Sequence, residues 1–204
     1  MRIPIFPLSG AILFPRSQLP LHIFEPRYRQ MVRDAIEGAG RIGMIQPQIP
    51  DEELKLYSVG CIGELVGVEE MDDGRFNIVL HGSNRFRILA EADLGTPYRH
   101  AEVDMAAFDD REPPPLSLAA RAEVEREARR LGDALGLSVD WDAVGRLDDE
   151  MLVNAIAQVA PFDFGAKQAL LEQETLAERA DLLVQLMQFQ RMTPGGADTE
   201  PTVQ

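Results

Sequence analysis

Cysteine, lysine, histidine and tryptophan are all scarce in this chain of 204 residues, and each shortage removes a kind of chemistry. A single cysteine, Cys61, excludes an intrachain disulfide. It lies in an apolar, strand-like run, where a free cysteine is a small buried hydrophobe. The three histidines, His22, His81 and His100, are scattered, so no zinc-finger spacing exists. Of the two lysines, neither Lys55 nor Lys167 follows a glycine-rich turn, and the phosphate-cradling loop of nucleotide hydrolases is missing. Lys55 sits in the acidic stretch Asp51-Glu52-Glu53-Leu54, and Lys167 opens a helix in which a solvated charge is expected. Neither supplies the lysine of a Ser–Lys dyad. His81-Gly82-Ser83 lacks the strand-to-helix elbow of a nucleophilic serine and reads as a turn. Glu69-Glu70 and Asp72-Asp73 read as a solvated hairpin tip. The expectation is a protein that is not an enzyme, with no catalytic residue, no cofactor and no metal site.

Long apolar runs are also missing. None approaches the ~20 residues that cross a bilayer, and Met1-Arg2-Ile3-Pro4 opens no signal peptide. A cytoplasmic protein with no membrane contact is expected. Positive charge is short as well, with 20 basic against 34 acidic residues and a net charge of −14. The deficit is spread evenly, at −6 over residues 1–112 and −8 over the remainder. Such a surface repels phosphate backbones, so nucleic acid is an unlikely partner. Arg85 and Arg87 come nearest to a basic patch. Arg27, Arg29 and Arg33 are offset by Glu25, Asp34 and Glu37.

What is present is a 45% hydrophobic chain whose periodicity changes along its length. Ile3–Leu8 and Leu19–Phe24 read as extended, and the prolines of the first bar it from a central strand position. Tyr28, Met31, Val32 and Ala35 fall at i, i+3, i+4 and i+7, an amphipathic helix. Glu25 stands at its N-cap, Pro26 at its first position, and Gly38 and Gly40 at its end. Arg41–Ile45 restarts as a strand. Val59–Val68 is a strand loosened by three glycines, and Asp72-Asp73-Gly74 is a hairpin turn. Phe76, Ile78 and Leu80 alternate with polar residues, His81–Asn84 turns the chain again, and further strands lie at Phe86–Leu89 and Tyr98–Met105. Short bent strands in series indicate a small closed or partly open barrel.

Pro113-Pro114-Pro115 is a stiff spacer, and the pattern beyond it is helical. Helices are expected over Ala119–Leu135, from a cap at Asp148 to a stop at Pro161, and over Ala166–Glu172. A last one opens on the capping box Thr175-Leu176-Ala177-Glu178. The division is therefore residues 1–112 as a β-rich domain with one early helix, 117–192 as a helical subdomain, and 193–204 as a disordered tail.

Several segments match a known pattern in order and spacing. They are Ile3-Pro4-Ile5-Phe6-Pro7-Leu8, Phe14-Pro15, Pro20-Leu21-His22-Ile23-Phe24-Glu25-Pro26-Arg27-Tyr28, Val59-Gly60-Cys61-Ile62-Gly63-Glu64-Leu65, Asp73-Gly74-Arg75-Phe76 and Gly82-Ser83-Asn84-Arg85-Phe86-Arg87-Ile88. A weaker match runs from Phe164-Gly165-Ala166-Lys167-Gln168-Ala169-Leu170-Leu171-Glu172 to Glu178-Arg179. Together they resemble the N-terminal, substrate-binding domain of the Lon protease family, here as a stand-alone, bacterial-type version without its ATPase or protease. The resemblance implies an α+β fold, a PUA-like β pseudobarrel followed by a C-terminal helical bundle. It also implies a protein- or peptide-binding module for unfolded or extended polypeptide segments, serving proteolysis as an adaptor or regulator.

RNA binding is the alternative, because related PUA-like barrels bind RNA. No residue declares itself a binding residue. Phe24 and Tyr28 are expected to anchor the helix, Glu25 to cap it, and Arg27 to pair with a carboxylate or carbonyl. A peptide would be met by edge pairing on the glycine-bearing strands.

Overall fold

The computed structural model of the chain describes residues 1–49 and 52–192. Its strands are β1 (Arg2–Pro7), β2 (Gln18–Ile23), β3 (Arg41–Ile45), β4 (Pro47–Ile49), β5 (Glu52–Leu56), β6 (Val59–Glu70), β7 (Phe76–Ala92) and β8 (His100–Asp104). Helix α1 (Pro26–Glu37) lies between β2 and β3. Five helices follow: α2 (Leu118–Ala134), α3 (Trp141–Gly145), α4 (Asp149–Val159), α5 (Phe164–Glu172) and α6 (Leu176–Met192). The chain divides into two compact units, Met1–Glu112 and a second from Pro113 onward. The tail over 193–204, expected to be disordered, and Asp51 of the acidic stretch lie outside the described residues.

In the first unit the sheet order is β2-β7-β6-β3-β1-β8, and β7 also pairs with β8. One long strand makes this possible. The first part of β7 pairs with β2 from Phe76 to His81, and its last part pairs with β8 from Arg87 to Ala92. The pairings β7–β6–β3–β1–β8 thus return to β7, which builds the pseudobarrel, while β2 stays at an edge. Ile3, Ile5, Ile45, Ile62, Phe86, Ala101 and Val103 fill its interior. Cys61, next to Ile62 on β6, is also buried, as its apolar setting predicts.

Two expectations fail in this unit, both for local reasons. The prolines of β1 do not confine it to an edge, since it pairs with β8 through Arg2–Pro4 and with β3 through Ile5–Pro7. Backbone groups alternate sides along a strand. The N–H of Ile5 bonds the Arg99 carbonyl on the β8 side, and that of Leu8 bonds the Ile45 carbonyl on the β3 side. The N–H that Pro4 lacks would point towards β3 before that pairing begins. The one Pro7 lacks would point towards β8 after that pairing has ended. No ladder bond is missing.

The second failure is the turn over His81–Asn84, because β7 runs straight through it. Gly82 is needed for close approach instead. A Cβ there would strike the backbone of Phe14, and the Gly82 N–H and C=O bond Ser17 and Arg16. The hairpin at Asp72-Asp73-Gly74 does form, with Gly74 at φ 78° and its N–H on the Met71 carbonyl at 2.8 Å.

Helix α1 buries the four residues its periodicity selects, Tyr28, Met31, Val32 and Ala35. Gly40, at φ 67°, returns its N–H to the Ala35 carbonyl and closes the helix.

In the second unit side-chain caps set the helix starts. Ser117 accepts from Ala120, Asp148 from Met151 and Asp163 from Ala166, while Thr175 and Glu178 form the capping box in both directions. The Asp163 cap moves the start of α5 ahead of the expected Ala166. The short helix α3, capped by Asp140, carries no helical period long enough to be read from the sequence. The same holds for the two-stranded pairing of β4 with β5.

Candidate functional site

The corner where β2 passes into α1 gathers apolar side chains at the surface. Ile23 ends the β2 alternation facing the core, and Pro26 begins the helix, holding Glu25 extended at φ −65° and ψ 133°. Phe24, between them, belongs to neither inward-facing pattern and is 55% exposed. It does not anchor the helix. Tyr28 does, at 4% exposure, with its ring 4.3 Å from that of Phe6. Glu25 caps through its backbone, whose carbonyl accepts from Tyr28 and Arg29 at 3.1 and 2.9 Å. Its carboxylate makes no cap and instead takes the Arg27 Nε–H at 2.9 Å. The Arg27 guanidinium lies 4.4 Å from the centre of the Tyr28 ring.

Phe6, Leu8, Leu21, Phe24, Tyr28 and Pro47 surround a groove of about 310 Å³ at this corner. Leu21 and His22 also border a wider depression of about 480 Å³ over Gly67, walled by Pro20, Val68 and Val79. Its polar rim is ordered. His22 Nδ1 lies 2.8 Å from Asn77 Oδ1, and Arg75 Nη1 lies 3.4 Å from His22 Nε2. Arginine can only donate, so Nε2 is the acceptor and Nδ1–H donates to Asn77. Asn77 in turn donates to Glu69 at 3.0 Å. The arrangement can hold apolar side chains between ordered polar rims, and it sets no nucleophile against a base.

The basic residues singled out in the sequence do not assemble a patch. Arg85 is 1% exposed, with its Nε 2.8 Å from Asp110 and its guanidinium 4.3 Å from the Phe108 ring centre. Arg87 faces the same ring at 5.6 Å. Arg33 pairs with Glu70, and Arg29 packs on the Gly74 turn beside Asp73. The glycine-bearing strand is enclosed only in part. Cys61 to Glu64 of β6 pair with β3 on one side while the strand pairs with β7 on the other, and from Gly67 onward the pairing among the described residues is with β7 alone. β2, a strand that contains no glycine, is an edge of the six-stranded sheet along its whole length.

The helical unit has a second apolar cavity, of about 170 Å³, lined chiefly by Leu131, Leu137, Trp141, Leu152, Ile156 and Val159. Its named motif residues lie elsewhere and are internal. Lys167, expected to be solvated, is 8% exposed and donates to the Gln158 carbonyl at 2.9 Å, and burial pushes its ammonium below the usual lysine range. Arg179, 3% exposed, donates to Asn154 and to the Leu170 carbonyl. Among the described residues no cluster of three or more His, Cys, Asp or Glu is placed to hold a metal ion, and no helix is long and apolar enough to cross a membrane.

An α+β chain with a strand pseudobarrel, a single helix at its corner and a separate helical unit defines a narrow structural class, and its relatives agree on which one. Residues 2–188 match the family model described as the ATP-dependent protease La (LON) substrate-binding domain, and the chain belongs to that family. It is 30% identical over 206 residues to Lon protease 2 of Sorangium cellulosum, with 91% of this chain aligned to 24% of that protein. It is 23% identical over 199 residues to the Lon protease of Escherichia coli K12, of which it covers 25%. The chain thus spans about a quarter of the length of these curated relatives.

The crystal structure of a Lon N-terminal domain protein from Xanthomonas campestris superposes with a TM-score of 0.66 at 21% identity, covering 91% of this chain and 98% of that one. The N-terminal domain of the Mycobacterium avium complex Lon protease gives 0.67 at 20% identity, with 92% and 98% covered. These similarities reach the substrate-binding domain, and no protease or ATPase domain is found in the chain.

Proposed function

We propose that this chain is a non-catalytic module that binds unfolded or extended polypeptide segments in the cytoplasm, as an adaptor or regulator of proteolysis. The supporting observation is Phe24, a large aromatic ring held 55% exposed by the turn from β2 into Pro26, over a groove that Phe6, Leu8, Leu21 and Tyr28 help to line. A buried-on-binding aromatic in a preformed groove is the usual centre of a binding hot spot. Membership of a substrate-binding domain family supports the same reading. The RNA alternative loses its best residue, since the charge of Arg85 is held internally by Asp110.

Fluorescence anisotropy with a labelled unfolded polypeptide and with a labelled single-stranded RNA tests the proposal. The polypeptide should bind and the Phe24→Ala variant should bind it at least tenfold more weakly. Binding of the RNA without binding of the polypeptide would overturn it.

A further inference from the structure

The free edge of β2 specifies more than an apolar surface. Gly82 N–H bonds the Ser17 carbonyl, and the register pairs Leu19 with Leu80, Leu21 with Ile78 and Ile23 with Phe76. In an antiparallel pair the residues exchanging hydrogen bonds recur at every second position. Leu19, Leu21 and Ile23 therefore bond β7, and the backbone groups of Gln18, Pro20 and His22 point away from the sheet. Gln18 and His22 each offer an N–H and a C=O there, and Pro20 offers only a C=O. The groove under Phe24 and the depression over Gly67 meet at Leu21 and His22.

Consecutive side chains of a strand alternate between the two faces of a sheet. A strand laid beside β2 would therefore alternate between these hollows. The cations bordering that edge are paired from within, Arg27 with Glu25 and Arg75 with Asp73, while the Glu69 carboxylate accepts from the neutral Asn77 amide. One negative charge is left at Glu69, and no cluster of charge of either sign is there for a strongly charged occupant to answer.

We propose that this edge takes up an extended, uncharged polypeptide segment as an added strand, with alternate apolar side chains entering the groove below Phe24. This rests on the polypeptide-binding reading and gives it a mode and a ligand class. Pro20 sets the strength of the edge. By withholding one donor it weakens pairing at the centre of the edge, a device that guards exposed strands against indiscriminate association.

The test uses a short fluorescein-labelled peptide of alternating valine and serine, and the same peptide N-methylated at every residue, so that neither of its edges can donate. Anisotropy titrations are run on the whole chain and on Pro20→Val, His22→Pro and His22→Ala, with folding of each checked by circular dichroism. Restoring the donor in Pro20→Val should tighten binding about fivefold, the effect of roughly one net hydrogen bond. The N-methylated peptide should fail to bind, and His22→Pro should bind more weakly than His22→Ala, which loses the ring but keeps the N–H. Equal binding of the two peptides, with no effect of Pro20→Val, would overturn strand addition and leave a groove that reads side chains alone. Failure of every peptide to bind, the unfolded polypeptide included, would instead overturn the polypeptide-binding reading itself. If His22→Pro does not fold, Pro20→Val and the N-methylated peptide still decide the matter.

Discussion

The two stretches that carry the family likeness most compactly, one in each unit, use their residues in opposite ways. Between Pro20 and Tyr28 the chain presents Phe24 and His22 at the surface, beside a free strand edge, and commits only Ile23 and Tyr28 to the core. Between Phe164 and Arg179 it turns Lys167, Gln168 and Arg179 inward, where Lys167 and Arg179 tie helices α4, α5 and α6 together through Gln158, Asn154 and Leu170 while Gln168 bonds Glu172 within α5. Both segments look alike on paper, each being polar residues among apolar ones. Only the first leaves a large aromatic ring exposed beside a free strand edge, so the first is where a partner should be sought.

That contrast can be broken by mutation, beginning where the effect should be greatest. Arg85→Ala should destabilise the barrel unit by about 3–5 kcal/mol, because it strands the Asp110 carboxylate in a buried site. Denaturant unfolding measures this, and a loss within the range of ordinary surface changes would show that the Arg85 charge is free to act elsewhere. Arg179→Ala should cost the helical unit about 2–4 kcal/mol, since the Asn154 amide oxygen and the Leu170 carbonyl lose a buried donor.

A smaller effect should follow pH through His100. This buried imidazole packs against the Tyr98 ring at a tilt of 37° with ring centres 4.8 Å apart, beside Thr96, and faces Arg2 from β1 and Asp34 from α1. Burial first, and Arg2 second, hold its pKa below the ordinary 6.5 against the opposing pull of Asp34. The folded state therefore binds fewer protons than the unfolded state. Stability should be constant above about pH 6.5 and fall as the pH drops below it towards the folded pKa. Thermal melts from pH 7.5 to 5 should show that slope diminished in His100→Gln. Smallest of all, Phe24→Ala should alter stability by no more than about 0.5 kcal/mol while weakening polypeptide binding. A large loss of stability would make Phe24 a core residue and erase the contrast.

How much of this was legible in the sequence depends on whether the cause was local. Helix α1, the Asp72-Asp73-Gly74 hairpin, and the caps at Asp148 and Thr175 follow from spacing and side-chain chemistry within a few residues. The straight run of β7 through Gly82 depends on Phe14 and Ser17, far away in the chain, so a glycine with a spatial role resembles a turn glycine in the sequence. The central place of β1 was hidden because its two halves have different neighbours, which no proline rule applied to the strand as a whole anticipates.

The burial of Lys167 overturns an expectation and that of Arg85 adds to one, for the same reason. Whether a cation is solvated or enclosed depends on a distant carbonyl or carboxylate, Gln158 or Asp110 here. Phe24 carries a signal that is readable in the sequence. It lies between the last inward residue of a strand and the N-cap of a helix, a position that neither pattern buries.

Hydrogen exchange in the presence and absence of a saturating extended peptide tests the central claim most directly, because it reports both regions at once. Exchange should slow at the amides of Gln18 and His22 and along the start of α1, and remain unchanged from Leu131 to Pro161 around the helical cavity. Protection confined to Leu131–Pro161, with the β2 edge unaltered, would contradict the account.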